Sequence, residues 1–202
     1  NKEYLDVISK LEKYGSFMAD VVNAETSEEV KGLIKKHAAP PASFILKREY
    51  LFTASVTGQP GYFAGIEKLD GSAAKFKFVS GITLPMGVEL TWKMNKKTPE
   101  TAYSFGVFTQ LIDIGAVLNF RLGDSLSELP DQVTFGQLFS PGLSFNVGFP
   151  NSPLTLGLGY QYTSDLRKIT AEGGNEVYPH GHRIFIRAAW DIPLLNLGRS
   201  KG

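Results

Sequence analysis

Two histidines near the end of the chain are the residues that most directly suggest a chemical role. His180 and His182 stand two positions apart in the segment Tyr-Pro-His-Gly-His, and imidazole is a common ligand of divalent metals. Asp165 and Glu176 in the same polar stretch could supply carboxylate ligands. Because the stretch offers no third ligand at a fixed offset, we predict no metal site and keep His180 and His182 only as candidates.

A serine, a carboxylate and a histidine, the residue types of a nucleophilic triad, flank the same stretch. They are Ser164, Asp165 and His182. No nucleophile motif surrounds Ser164, and a polar loop explains all three residues without catalysis. The sequence therefore predicts no catalytic residues, and Ser164, Asp165 and His182 are the set to test if the protein is an enzyme.

The composition excludes several classes of function. The 202 residues include 21 Lys and Arg against 20 Asp and Glu, and a net charge of +1 gives no electrostatic reason to expect nucleic-acid binding. Cysteine is absent, which excludes disulfides, thiolate metal sites and a cysteine nucleophile. No glycine-rich segment opens a helix, so we expect neither a nucleotide-binding loop nor another cofactor.

The hydrophobic pattern divides the chain into two regions. In residues 1–43, apolar side chains recur every three or four positions, which predicts one or two amphipathic α-helices. Thr26 and Glu29 resemble a capping box that opens the second helix, and the pair Pro40-Pro41 ends it. The chain begins without methionine, which predicts a mature form or part of a longer protein.

From Phe44 onward the apolar period changes to two, the period of β-strands. We predict an all-β domain over residues 44–197, followed by a polar tail at 198–202. About eight strands fit the pattern, with ten as the fallback, because bacterial single-chain barrels have even strand counts. The eight predicted strands are 47–56, 61–69, 73–93, 102–111, 113–122, 142–149, 154–163 and 182–192.

Two stretches decide that strand count. The apolar phase is unchanged from Phe76 to Trp92, so one long strand kinked at Pro85 and Gly87 is as consistent with the pattern as two strands. Farther along the chain the phase moves from odd to even positions, and we predict a hairpin turn near residues 110–113.

The non-apolar positions of these strands are mostly Gly, Ser, Thr, Asn and Gln, with isolated charges of both signs. The solvent face of a soluble sheet usually carries many Lys and Glu, whereas small polar residues suit the lumen of a narrow barrel. The composition therefore favours an antiparallel up-and-down β-barrel with its apolar face toward lipid over a soluble sheet. The charges that we predict to pair inside the lumen are Glu89, Lys93, Asp113, Arg121, Arg187 and Asp191.

Aromatic residues near the predicted strand ends are candidates for the girdles that lie at the headgroup level of a membrane. Core packing is the alternative role for the same side chains. The candidate girdle residues are Trp92, Tyr103, Phe120, Tyr160, Tyr162 and Trp190.

Two stretches of the β region carry a resemblance to known proteins. Residues 111–122, Leu-Ile-Asp-Ile-Gly-Ala-Val-Leu-Asn-Phe-Arg-Leu, and residues 140–162 resemble strands of small outer-membrane β-barrel proteins of the OmpA/OmpX kind, including uncharacterised barrels of Bacteroidota. The resemblance covers about residues 44–197. The last predicted strand also resembles, loosely, the signal by which such barrels are inserted; the matching residues are Arg187, Ala189, Ile192 and Leu194.

The resemblance implies an outer-membrane location in a Gram-negative cell envelope, with a periplasmic C-terminus and an extracellular connection at residues 164–181. It also implies that the lipid bilayer is a partner and that the N-terminal helices could contact an envelope protein. We expect a membrane anchor or scaffold subunit of a cell-envelope complex, with a packed polar lumen and no open pore.

Two other functions stay open on the sequence alone. A soluble β-barrel carrier of an apolar ligand would require the apolar face to point inward and the charges outward. An outer-membrane enzyme that acylates or deacylates lipid A is the other, since some proteins of the resembled class have that activity. Its catalytic residues would be Ser164, Asp165 and His182.

Overall fold

The structure is a computed structural model, and it describes most of the β region of the chain. Of residues 1–42 it describes five positions, all helical, which are Glu12, Ser16, Asp20, Glu29 and Gly32. The two helices predicted within residues 1–43 otherwise lie outside the described residues. The remaining described residues are 43–69, 76–94, 98, 100–115, 138–163, 169–170, 176–177 and 180–200.

The described elements are almost entirely strands. A 3-10 turn (Ser43–Ile45) and a single α-helical turn, α1 (Leu46–Glu49), lead into the first strand. The strands are β1 (Phe52–Gly58), β2 (Gly61–Leu69), β3 (Lys77–Thr83), β4 (Pro85–Lys93), β5 (Ser104–Asp113), β6 (Phe139–Gly148), β7 (Leu154–Thr163), β8 (Ile169–Thr170), β9 (Glu176–Val177), β10 (Gly181–Trp190) and β11 (Ile192–Ser200). Within the described residues, no helix is long and apolar enough to cross a bilayer.

Nine of the strands form one antiparallel sheet in the order β11-β1-β4-β5-β6-β7-β10-β2-β3. Two pairs of neighbours in the chain behave as continuous strands. Phe52 of β1 pairs with Trp92 of β4, and Gly61 of β2 pairs with Thr83 of β3 in the same register, so β1-β2 and β3-β4 are the two arms of one long hairpin. In the same way β10 pairs with β2 while β11, its continuation, pairs with β1.

The cross-strand pairs form a path that leads from β1 across the sheet to β2. Starting from Phe52 on β1, each step goes to the residue paired with it on the neighbouring strand. The last residue of this path lies on β2, which continues β1 along the chain. The path from residue 52 thus arrives at residue 62, ten positions farther along the same arm. Its members are Phe52, Trp92, Phe105, Val147, Leu156, Ala188 and Tyr62.

The predicted hairpin turn near residues 110–113 is wrong. Strand β5 runs unbroken from Ser104 to Asp113, and its register with β6 shifts between Gln110 and Ile112. Phe108, Gln110 and Ile112 are all buried while Leu111 is exposed, so β5 keeps the same inward phase through this shift. The phase change in the sequence arises because Ile112 and Ile114 are apolar residues at buried positions.

The sheet has nine strands where the sequence predicts about eight. The stretch predicted as 73–93 is interrupted at Leu84, and the last predicted strand, 182–192, continues as β11 to Ser200, into residues assigned to a polar tail. The first predicted strand, 47–56, begins late, since α1 occupies Leu46–Glu49. Most of the predicted strand 113–122 lies outside the described residues.

The connections differ in length at the two ends of the sheet. At one end, which we call the turn end, residues 94–103 and 149–153 connect strands, and α1 and the end of β11 lie there too. At the opposite end, the loop end, the connections are residues 70–76, 114–138 and 164–180. The two long connections therefore share the loop end.

Candidate functional site

The polarity of the sheet is the reverse of that of a soluble protein. Residues with polar side chains alternate with apolar ones along the strands, and the polar ones are buried. Arg187 and Asn146 are each 2% exposed, while Leu158 and Ile186 are each 56% exposed. Soluble domains bury their aliphatic residues and almost never bury Arg or Glu completely.

The exposed face is a continuous apolar surface. Cross-strand partners share it, as in the row formed by Ile66, Ile184 and Tyr160 and in the pair Ile186 and Leu158. An apolar patch of this extent marks an interaction surface, since soluble monomers rarely expose one. Its large exposed members on β4 to β7 and β10 include Leu90, Leu111, Leu143, Phe145, Leu154, Leu156, Leu158, Ile184 and Ile186.

Aromatic side chains occur on the same face near both ends of the strands. Trp92, Tyr103 and Trp190 are exposed at the turn end, where Trp92 also packs against Phe52 with ring centroids 5.5 Å apart. At the loop end, Tyr160 is exposed and Tyr162 is half-buried. Of the six candidate girdle residues, only Phe120 lies outside the described residues. Five candidates thus fall near strand ends, with the aliphatic residues between them.

The buried face holds a cluster of ionised groups near the turn end. Lys47 of α1 forms ion pairs with Glu89 of β4 and, at 2.6 Å, with Asp191 between β10 and β11. Thr57 donates a hydrogen bond of 2.8 Å to the same oxygen of Asp191. A lysine on the turn before β1 therefore joins two carboxylates from distant strands.

Amide side chains extend this cluster across the interior. Asn146 donates from Nδ2 to Glu89 at 2.8 Å and to the side-chain oxygen of Gln59 at 3.2 Å. Gln59 in turn donates to Glu89 at 3.2 Å. The Glu89 carboxylate is thus held by Lys47, Gln59 and Asn146, which satisfies a charge that would otherwise be costly to bury.

Arg187 occupies the centre of the interior. Its guanidinium donates to Gln59 at 2.7 Å, to Gln110 at 3.1 Å and to Ser144 at 3.1 Å. The same group lies over the ring of Phe108 at 5.3 Å from the centroid, a cation–π distance. Because Gln59 contacts both Arg187 and Asn146, the arginine and the Lys47 cluster belong to one hydrogen-bond network.

Three further buried charges lie toward the loop end. Glu67 of β2 accepts hydrogen bonds from Nε of Arg183 at 3.2 Å and from its terminal nitrogen at 2.7 Å. Arg183 also stacks on Phe63 at 4.3 Å. Asp113 accepts from the Thr83 hydroxyl at 2.8 Å rather than pairing directly with a cation.

The six charges predicted to lie in the lumen occupy different surroundings in the structure. Glu89, Arg187 and Asp191 belong to the network described above, and Asp113 is buried beside β3. Lys93 is half-buried at the turn end of β4, and Arg121 lies outside the described residues.

Four buried charged residues were missed: Lys47, Arg48, Glu67 and Arg183. Arg183 shares the phase of Arg187 within one predicted strand, so the alternation could have identified it. For Lys47 and Arg48 no such signal exists, because a helical turn places them.

The candidate catalytic and metal-binding residues are not assembled into a site by the described residues. His182 is half-buried, and its Nδ1 shares a hydrogen bond with the Tyr160 hydroxyl; His180 is exposed and packs on Tyr162. Ser164 and Asp165 lie outside the described residues. Among the residues that are described, no group of three His, Cys, Asp or Glu side chains is arranged to hold a metal.

Comparisons with protein-family models, with curated proteins and with solved structures find no match to this chain.

Proposed function

We propose that this protein is an outer-membrane β-barrel that acts as a membrane anchor or scaffold subunit of a cell-envelope complex. The observation that carries the proposal is the inverted polarity of the sheet. Aliphatic side chains such as Leu158 are exposed, while Glu89 and Arg187 are buried and hydrogen-bonded. A lipid environment would stabilise this arrangement. The apolar face would contact the acyl chains, and the polar groups would form hydrogen bonds with one another on the other face.

The pairing pattern supports a closed barrel. A path of paired residues that leads from Phe52 back to Tyr62 on the same arm is what a sheet with a fixed stagger produces when it closes on itself. Strands β4 to β7 and β10 have 9 or 10 residues, and a tilted strand of about 9–11 residues crosses the hydrocarbon core of a bilayer. Closure would also pair the backbone groups that an open edge would expose to lipid.

The interior supports an anchor or scaffold with a packed lumen. The described buried charges balance, with Lys47, Arg48, Arg183 and Arg187 opposite Glu67, Glu89, Asp113 and Asp191. Large side chains and their hydrogen bonds fill the space between the strands, as expected for a small barrel. A carrier of an apolar ligand would need an apolar interior, and the buried network argues against that function.

The turn end is the side that we assign to the periplasm. Short periplasmic turns and longer extracellular loops are typical of these barrels, and the long connections 114–138 and 164–180 share the loop end. Lys47 and Arg48 of α1 are bound at the turn end. The chain before α1 is the part that we propose to contact a periplasmic partner, which is the scaffold part of the proposal.

The test is extraction of the full-length protein from cell envelopes. We expect it to stay with the membrane through washes in high salt and in alkali, and to be released only by detergent. Its migration in gel electrophoresis should change on boiling, since closed barrels resist unfolding by detergent at room temperature. Recovery in the salt- or alkali-soluble fraction would contradict the membrane proposal.

A further inference from the structure

A row of polar and aromatic residues crosses three strands on the exposed face at the loop end. Lys68 of β2 pairs with His182 of β10, and His182 pairs on its other side with Tyr162 of β7. Side chains of directly paired residues lie about 5 Å apart at Cβ. We call Lys68, His182 and Tyr162 the rim row, and it places a cation and an imidazole next to each other.

Neighbouring side chains hold the rim row in place. The Tyr160 hydroxyl and Nδ1 of His182 share a hydrogen bond, and the two rings stack at 6.0 Å between centroids. His180 packs on Tyr162 at 5.2 Å. The imidazole of His182 is thus oriented before any ligand arrives.

The surroundings of the rim row select for a particular charge. Among the described residues, the outward positions of β2, β7 and β10 include no Asp or Glu, and Lys68 is the Lys or Arg there. The next row toward the middle of the strands is apolar and consists of Ile66, Ile184 and Tyr160. A ligand that fits this face is anionic at one end and apolar along its length.

We propose that the rim row binds the headgroup phosphate of a lipid with net negative charge, with the acyl chains lying along Ile66 and Ile184. The ammonium of Lys68 supplies the charge, the His182 ring lies beside it, and Tyr162 lies at the level of the headgroups. The inference rests on the proposed membrane function and adds a specific lipid contact to it.

The experiment uses the full-length protein in neutral detergent micelles. Short-chain phosphatidylglycerol, phosphatidylcholine and inorganic phosphate are added separately, and bound lipid is counted by native mass spectrometry. We expect phosphatidylglycerol to bind more tightly than phosphatidylcholine. Lys68→Gln should weaken phosphatidylglycerol binding about fivefold, the effect of one cation near a charged headgroup.

Lys77→Gln is the matched control. It removes one positive charge at the same end of the sheet, but Lys77 pairs with Glu67 and so belongs to the opposite face. Equal binding of the two lipids, or an equal loss in Lys77→Gln, would overturn the rim row as a phosphate site. Displacement of phosphatidylglycerol by millimolar inorganic phosphate would overturn the lipid as its ligand. None of these results would contradict the proposed membrane location. That proposal fails only if the protein does not stay with the membrane during extraction.

Discussion

Lys47 Nζ lies 2.6 Å from Asp191 Oδ1, although 144 positions separate the two residues in the chain. Their side chains are 3% and 10% exposed. Lys47 also pairs with Glu89, so a helical turn that precedes the sheet ties together both ends of the β region. The contact holds α1 against the turn end of the sheet.

Replacing Lys47 with methionine should destabilise the protein by about 3–5 kcal/mol, because it leaves Glu89 and Asp191 buried without their cation. The measurement is denaturant unfolding of the protein refolded into lipid vesicles, followed by tryptophan fluorescence. Lys77→Met is the control, since Lys77 is exposed at the other end of the sheet. A loss below 1 kcal/mol in Lys47→Met would show that the buried pairs do not hold α1 in place.

The same lysine predicts a dependence on alkaline pH. Burial alone would lower the pKa of Lys47, but the carboxylates of Asp191 and Glu89 outweigh it and raise the pKa above its ordinary value of 10.5. A group with a raised pKa contributes stability that is complete below its unfolded value and is lost as pH rises through the folded value.

The difference in unfolding free energy between wild type and Lys47→Met should therefore be constant from pH 8 to about 10 and shrink at higher pH. Comparing the two proteins removes the contribution of every titrating group that they share. A difference that stays constant up to pH 12 would be inconsistent with a charged Lys47 as the source of the effect.

Gly157 gives a test of interior packing. A Cβ at this position would lie 2.3 Å from Asn146 Oδ1, so Gly157→Ala must displace the amide that binds Glu89. Overpacking of this kind costs about 1–3 kcal/mol. Gly198→Ala is the matched control in β11, because no atom lies within 4 Å of its added Cβ. Vesicle-refolded proteins should differ in unfolding free energy by that amount, and equal stabilities would argue against the packed interior.

Introducing a charge on the exposed face tests whether that face is surrounded by lipid or by water. Leu158 is 56% exposed in the middle of β7, and Leu158→Lys should reduce the free energy of folding into vesicles by about 2–4 kcal/mol. In water the same surface change would alter stability by no more than about 0.5 kcal/mol. Thr101→Lys, in an exposed connection at the turn end, should be neutral. Similar folding yields for both variants would contradict a lipid-facing surface.

The sequence by itself determined the class of the fold and the two faces of its strands. Period-two alternation in stretches such as 154–163 requires one apolar and one polar face, and the predicted bounds of that strand match β7. It also identified Glu89, Arg187 and Asp191 as polar-face charges. These results depend only on the alternation of apolar and polar residues within single strands, which can be read directly from the sequence.

The tertiary structure decided which distant residues meet. The change of apolar phase predicts a turn, whereas β5 continues to Asp113 and Ile112 is buried in line with Phe108 and Gln110. The position of Lys47 followed no local pattern, since a helical turn directs it to carboxylates whose neighbourhood is created by strand register. The register of the strands and the path of the backbone are set by many pairings across the whole sheet. For that reason the partners in the buried network can be identified from the tertiary structure and not from the sequence alone.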